Sequence, residues 1–341
     1  MLQDIVCAIR NDGISDNHSV AYCLLGYLCA YYRYYHPLEF ITAFLNNAAN
    51  DEDIRNGTIL AKQYGISVVP PKFGISRGDY AFDVTSKTIA KGLSSIKYMG
   101  TKVADTLHKL ADGTKYAYFS DLLQDLADKA RLDTRQLSIL IHIDFFSEFG
   151  NQRELEKIVS CWEYFKRGAA KQVRKDQVAG TMLDEIVARH STDRKKDGTE
   201  AASYTITDVR AVIRECEQKV LSLGLSDFGA IVKAKYFNEA MGYNGYISGK
   251  EEERAILFVK DVYPVKRKRD GKQFGYSVLT QSIGSGIEGR FTVFNSEYNL
   301  SPIKKGDVIK CLRYRRDGKG YFTLEQYRHL TTDDDSSEEN K

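Results

Sequence analysis

The sequence has no CxxC pair: its six cysteines, Cys7, Cys23, Cys29, Cys161, Cys216 and Cys311, are scattered. That spacing excludes the paired-thiol motifs of metal and redox sites and leaves free, buried thiols in a reducing cytoplasm as the expectation. A Walker A loop, HExxH and GxSxG are also missing, which removes the enzyme classes recognised by those motifs. No Asp-x-Asp lies in an apolar strand. "NDED" (Asn50–Asp53) opens a polar helix and "DDD" (Asp333–Asp335) lies in an acidic tail, so neither supplies the converging carboxylates of two-metal phosphoryl transfer. A signal peptide and a fixed-period repeat are absent. The apolar run after His18 is short, tyrosine-rich and interrupted by Arg33, so it is not read as a membrane span.

What is there suffices for several domains. The chain has 341 residues, 43% of them hydrophobic, enough for two or three cores on the order of ordinary domain size. The net charge of +3 is uninformative, but its distribution is not. Lys260 to Lys319 holds 14 Lys and Arg against 6 Asp and Glu, a local excess of 14 − 6 = +8.

The first 67 residues read as helices. Ser15, Asp16 and Asn17 are cap formers before a run reaching Tyr35, whose apolar residues fall on every side, so that helix is expected to be buried on most faces. Pro37 suits the first turn of a second helix, and a third runs from Asp51 to Tyr64, closed by Gly65. "ISVVPPKF" (Ile66–Phe73) reads as a short strand stopped by prolines, and "YAFDV" with "TIAKGL" as a small hairpin. Lys97 to Gly150 is helical. Residues 151–250 read as helices with polar joints, "STDRKKDGTE" (Ser191–Glu200) being a flexible loop. From Arg254 the pattern alternates, with turns at Asp270-Gly271 and Asp317-Gly318, as in a five-stranded all-β module.

Three stretches carry candidate chemistry. "SIKYMGTKVADTL" (Ser95–Leu107) resembles a helix-hairpin-helix: Gly100 admits a phosphate close to the backbone, amides at the next helix start donate to it, and Lys97 and Lys102 add charge. Such contacts ignore base sequence. The β-module interleaves Lys266, Arg267, Lys268, Arg269, Arg313, Arg315 and Arg316 with Phe274, Tyr276, Phe291, Phe294, Tyr314 and Tyr321, a composition suited to single-stranded nucleic acid or, residue by residue, to an ordinary solvated barrel. His18 opens a helix, where a histidine caps or packs, or faces an anion.

The order of these features resembles the fingers of the bacterial replicative DNA polymerase III alpha subunit (the C family). In "NHSVAYCLLGYLCAYYRYYHPLEFITAFLNN" the matching residues are His18, Tyr22, Tyr27, Ala30, Tyr31, Pro37, Glu39 and Phe40. "GISVVPP" (Gly65–Pro71), "IAKGLSSIKYMG" (Ile89–Gly100), "YFSDLLQDL" and "LDTRQLSILIHIDFFSEFGNQREL" follow in the family's order, the last resembling a degenerate second hairpin. The likeness is collinear over residues 10–160 and architectural over 250–329. It implies a multidomain chain: a mostly α-helical fingers domain (1–93), a helix-hairpin-helix region (94–150), a helical linker (151–250), a small all-β OB-fold barrel (251–330) and an acidic disordered tail (331–341).

The resemblance further implies that His18 lies near the nucleotide phosphates and Tyr22 near the nascent base pair. Lys97, Gly100 and Lys102 would hold template-primer duplex, and the barrel single-stranded template. The family's palm and phosphoesterase-like domains are not matched, so catalytic carboxylates and their magnesium are expected on another, palm-bearing chain, with no catalytic or metal-binding residue and no cofactor on this one. Asp16-Asn17 replaces an asparagine-lysine, Lys72 an aspartate, and Asp144 the glycine of the second hairpin, where phosphate binding is therefore not expected. "QLSIL" (Gln136–Leu140) is similar to a sliding-clamp peptide but falls in a helix read as buried; a clamp stands as a further candidate partner, a membrane does not. The rival reading is a non-catalytic nucleic-acid-binding protein on the same scaffold, and a third is a decayed gene fragment.

Overall fold

The computed structural model describes residues 16–113, 115–166, 172–194 and 198–336. The chain divides into two compact units, 1–95 and 96–341.

In the first unit, α1 (Asp16–Tyr35) is followed by α2 (Pro37–Asn46) and α3 (Asp51–Gln63). Pro37 starts α2, where its missing amide has no helical partner to lose. Asn50 caps α3 by accepting from the Asp53 amide, and Gly65 ends it at φ +69°. A mixed sheet of order β1-β3-β2 follows: β1 (Ser67–Val69) pairs parallel with β3 (Thr88–Ala90), which pairs antiparallel with β2 (Ala81–Asp83). Leu38, Ile41, Leu45, Ala61, Ile66 and Ile89 form the core of this unit. Gly92 passes so close to the bend before β2 that a Cβ there would meet the Gly78 carbonyl oxygen at 2.3 Å.

The expected burial of α1 is corrected. Tyr22, Leu24, Leu25, Tyr27, Tyr32, Tyr34 and Tyr35 are all exposed, and so are Cys23 and Cys29, which were expected to be buried. An all-round apolar helix signals burial only when its covering surface is present, and sequence does not say which molecule supplies it.

The second unit opens with α4 (Thr101–Gly113), α5 (Phe119–Asp125) running into a π-helical turn (Leu126–Ala130), α6 (Thr134–His142) and α7 (Gln152–Lys166). Asp133 and Gln136 close a capping box on α6. Phe119 packs against Phe146 and Phe149 at ring separations of 5.3 and 5.5 Å. Leu137 and Leu140 of "QLSIL" are buried in α6.

Residues 151–250 are not wholly helical. β4 (Gln172–Arg174), β5 (Ser191–Arg194) and β6 (Glu200–Ile206) build an antiparallel sheet of order β4-β6-β5, with α8 (Lys175–Val178) and α9 (Met182–Arg189) between β4 and β5, so the segment expected to be a flexible loop contributes β5 and the first residue of β6, with 195–197 outside the described residues. Val173 and Ile206 anchor it, and Lys175 of α8 pairs with Asp193 and Glu200 across its strands. α10 (Val209–Ser222) and α11 (Ala230–Met241) complete the helical part.

β7 (Ile256–Lys266), β8 (Gln273–Ser282), β9 (Glu288–Phe294), β10 (Val308–Arg316) and β11 (Phe322–Leu330) close into a mixed, OB-like barrel, with α12 (Asn295–Leu300) between β9 and β10. β10 pairs antiparallel with β7 to shut it, and β11 runs parallel to β9. Leu257 and Val259 point inward with Val278, Val293, Ile309 and Leu324. Ile256, Phe258 and Val308 point outward against Ala230, Ile231 and Ala234 of α11. Strand periodicity thus buries both faces of the "ILFV" run. Thr332–Ser336 form a last helix, α13, in the segment expected to be a disordered tail; residues 337–341 lie outside the described ones.

Candidate nucleic-acid interface

The hairpin turn is the best-defined candidate. Ile96 and Met99 are buried, which fixes the turn from beneath and leaves Lys97, Tyr98, Gly100 and Lys102 exposed. The Lys97 amide donates to the Ala240 carbonyl at 3.1 Å, tying the turn to α11. The Gly100 carbonyl accepts from Val103 and Ala104 and so starts α4. A Cβ added at Gly100 would meet nothing within 4 Å. A side chain would find room there, so this glycine answers no packing demand and leaves the backbone of the turn open. The three residues expected to grip phosphate are therefore brought together.

Two neighbours escaped sequence reasoning. Tyr98 adopts φ +67° and is 57% exposed. The Arg135 guanidinium lies 3.7 Å from the centre of that ring, and Gln136 Nε2 donates to the Tyr98 carbonyl at 2.8 Å. An aromatic residue within a hairpin turn was the available signal, but Arg135 is distant in sequence.

At the second turn, Asp144 takes φ +58°. Its carboxylate accepts from Gln152 at 3.0 Å and faces Lys233 at 3.3 Å, while Asp227 holds the same ammonium at 2.5 Å. Burial pushes the Asp144 carboxyl above its ordinary value against the pull of Lys233. This turn is an ion-pair node, not an anion site.

On the barrel, Lys266, Arg267, Lys268 and Arg269 cluster at the exposed β7–β8 tip. Phe274 is half-buried with its ring 6.1 Å from Phe294. Tyr276 stacks on Tyr298 at 3.6 Å. Near the other hairpin, Phe291, Tyr314 and Phe322 form a triangle of rings about 6 Å apart, with Arg316 over Phe322 at 5.5 Å. Phe291 belongs to the barrel core while Tyr314 and Tyr321 are exposed. Arg313 and Arg315 are both engaged by Glu325, at 2.9 and 3.3 Å, which sequence spacing did not reveal.

His18 lies on α1 in the first unit, its side chain outside the described residues; Tyr22, one turn on, is 67% exposed. Among the described residues no group of three or more His, Cys, Asp or Glu side chains is placed to hold a metal ion. No helix among them is long and apolar enough to cross a membrane.

A family model for the helix-hairpin-helix motif matches residues 65–155, the segment that contains the exposed turn and the Asp144 node. Over that segment the chain is similar to the helix-hairpin-helix family. More particularly, it is a sequence relative of the bacterial DNA polymerase III alpha subunits. It is 28% identical to DNA polymerase III subunit alpha of Thermus aquaticus over 260 residues, covering 66% of this chain and 20% of that one. Identity to the Borreliella burgdorferi subunit alpha is 31% over 144 residues, 42% of this chain and 12% of the relative. An error-prone DNA polymerase of Mycobacterium bovis is 24% identical over 174 residues, 51% and 15% of the two chains. The chain spans a fifth or less of the length of these relatives.

Proposed function

We propose that this chain is the fingers and DNA-gripping part of a C-family DNA polymerase acting in replication, working with a palm that lies outside these 341 residues. The observation that carries this reading is the exposed turn with Lys97, Gly100 and Lys102 at the start of α4, inside a helix-hairpin-helix match, in a chain whose relatives are polymerase alpha subunits. Amides at a helix start plus two cations suit backbone phosphates of template-primer duplex. The barrel is read as an OB-fold that guides single-stranded template by its basic tip and open rings.

His18 would stand by the incoming nucleotide's phosphates and Tyr22 by the nascent pair, as the likeness to the family implies. The uncovered apolar surface of α1 supports a partner, and the palm-bearing chain is the one that the reading supplies. Magnesium and the phosphoryl-transfer carboxylates belong to that palm. The location consistent with replication is the cytoplasm.

The test uses the full chain, primed template and a palm-bearing polymerase chain. The chain should bind primed template at low ionic strength, synthesise nothing alone, and support synthesis with the partner, an effect lost in His18→Ala and Tyr22→Ala. Failure to bind primed template overturns the reading. Equal affinity with no synthesis under any pairing favours a non-catalytic nucleic-acid-binding protein instead.

A further inference from the structure

The phosphate-gripping turn carries an aromatic ring that phosphate binding does not need. Tyr98 sits in the left-handed region, φ +67°, where a side chain carries a strain that glycine would avoid. The residue is not tucked away: it is 57% exposed. Nor is it loose. Gln136, whose own side chain completes the α6 capping box, holds the Tyr98 carbonyl at 2.8 Å, and Arg135 stacks its guanidinium on the ring at 3.7 Å. The backbone at Tyr98 is thus pinned, and one ring face is backed by a cation, before any ligand arrives. Lys97, Gly100 and Lys102, exposed in the same turn, would place a sugar-phosphate backbone beside it.

On this geometry we infer that Tyr98, backed by Arg135, is a stacking platform for an unstacked nucleobase next to the phosphates held at the hairpin turn. The inference rests on the reading of that turn as a polynucleotide site. In continuous duplex every base face is already covered by its neighbours. A base at a strand end, a one-nucleotide gap or an unpaired position has a face to offer, and base–aromatic stacking tolerates any sequence. The turn therefore selects interrupted over continuous duplex, whereas phosphates alone would not distinguish them.

The test is binding of the full chain to two DNA probes of equal length, one a continuous duplex and one with a single-nucleotide gap flanked by 2-aminopurine. The wild-type chain should prefer the gapped probe by about tenfold, the scale of one stacked base, and quench the 2-aminopurine fluorescence. Tyr98→Phe should keep both effects. Tyr98→Leu, which makes the same backbone demand without a ring, should abolish the quenching and bring the affinity ratio close to one. Arg135→Gln should reduce the ratio in the same direction. Unfolding temperatures confirm that each variant is folded. Undiminished quenching and ratio in Tyr98→Leu overturn the platform, with the hairpin reading intact. If Lys97→Ala with Lys102→Ala leaves binding to both probes unchanged, the hairpin reading itself fails, which is a different result.

Discussion

Glu217 of α10 caps the start of α5 with both carboxylate oxygens, accepting from the Phe119 amide at 2.6 Å and the Ser120 amide at 2.9 Å. The carboxylate is only 3% exposed, and the two helices are about a hundred residues apart in sequence. A negative charge at a helix start is favoured by the amides it meets, and hydrogen bonds to charged acceptors are the stronger kind. Glu217→Ala should cost about 3 kcal/mol in urea unfolding and Glu217→Gln less, since one acceptor oxygen survives. Equal losses for the two would show that packing, not capping, is Glu217's contribution.

Lys233 is buried between Asp144 and Asp227. Removing the buried cation from between two half-buried carboxylates leaves their charge uncompensated. Lys233→Met should therefore destabilise by about 3 kcal/mol or more. Asp144→Asn should cost clearly less, because Asp227 keeps Lys233 at 2.5 Å. Denaturant midpoints of the two variants decide this.

Tyr327 in β11 donates to the Ser301 carbonyl at 2.5 Å, and its hydroxyl is pushed up to about 12, by burial first and then by Tyr298 and Glu297. The folded state thus holds this proton more tightly than the unfolded chain, where tyrosine titrates near pH ~10. The contribution is whole below about pH 10 and is lost as pH rises towards about 12. Alkaline unfolding should be flatter with pH across that window in Tyr327→Phe than in the wild-type chain. Parallel curves would refute the assignment.

Glu325 pairs with Arg313 and Arg315, so under the proposed reading these two cations would contribute less to a single-stranded ligand than the tip residues Lys266 to Arg269. Arg267→Ala with Arg269→Ala should flatten the salt dependence of single-strand binding by about 0.7 per lost phosphate contact. Glu325→Gln should strengthen binding and steepen that dependence. An unchanged slope in all variants would exclude the barrel as the binding surface.

The α1 surface gives the opposite signature to a core. Leu24→Ser and Tyr27→Ser should shift the stability of the isolated chain by less than about 0.5 kcal/mol, because both side chains are already in water. The same changes should impair DNA synthesis with a palm-bearing partner. A large loss of stability in isolation would place α1 in this chain's own core instead.

Local signals were legible wherever local physics decides. Pro37, Asn50 and Gly65 mark helix ends by their own backbone limits, and Asp270-Gly271 and Asp317-Gly318 punctuate a barrel whose alternation is strong. The β4-β6-β5 sheet was not legible: its strands are short, with few apolar residues, and gain their order from pairing across a distant hairpin. The grouping of Lys97, Gly100 and Lys102 followed from spacing along one turn. Arg135 over Tyr98, Glu217 on α5 and Glu325 on the arginines could not, because each joins elements that only the fold brings together.

α11 lies against the outer face of β7 and β10 through Ala230, Ile231 and Ala234, and its far end receives the amide of Lys97. One short rod therefore spans from the hairpin turn to the barrel wall. If the proposed grips at the turn and the barrel both hold, a strand caught at one would be presented to the other at an effective concentration set by that fixed span, and the two would act with avidity. Loosening the rod at its middle would unlink them without touching a residue that meets the strand.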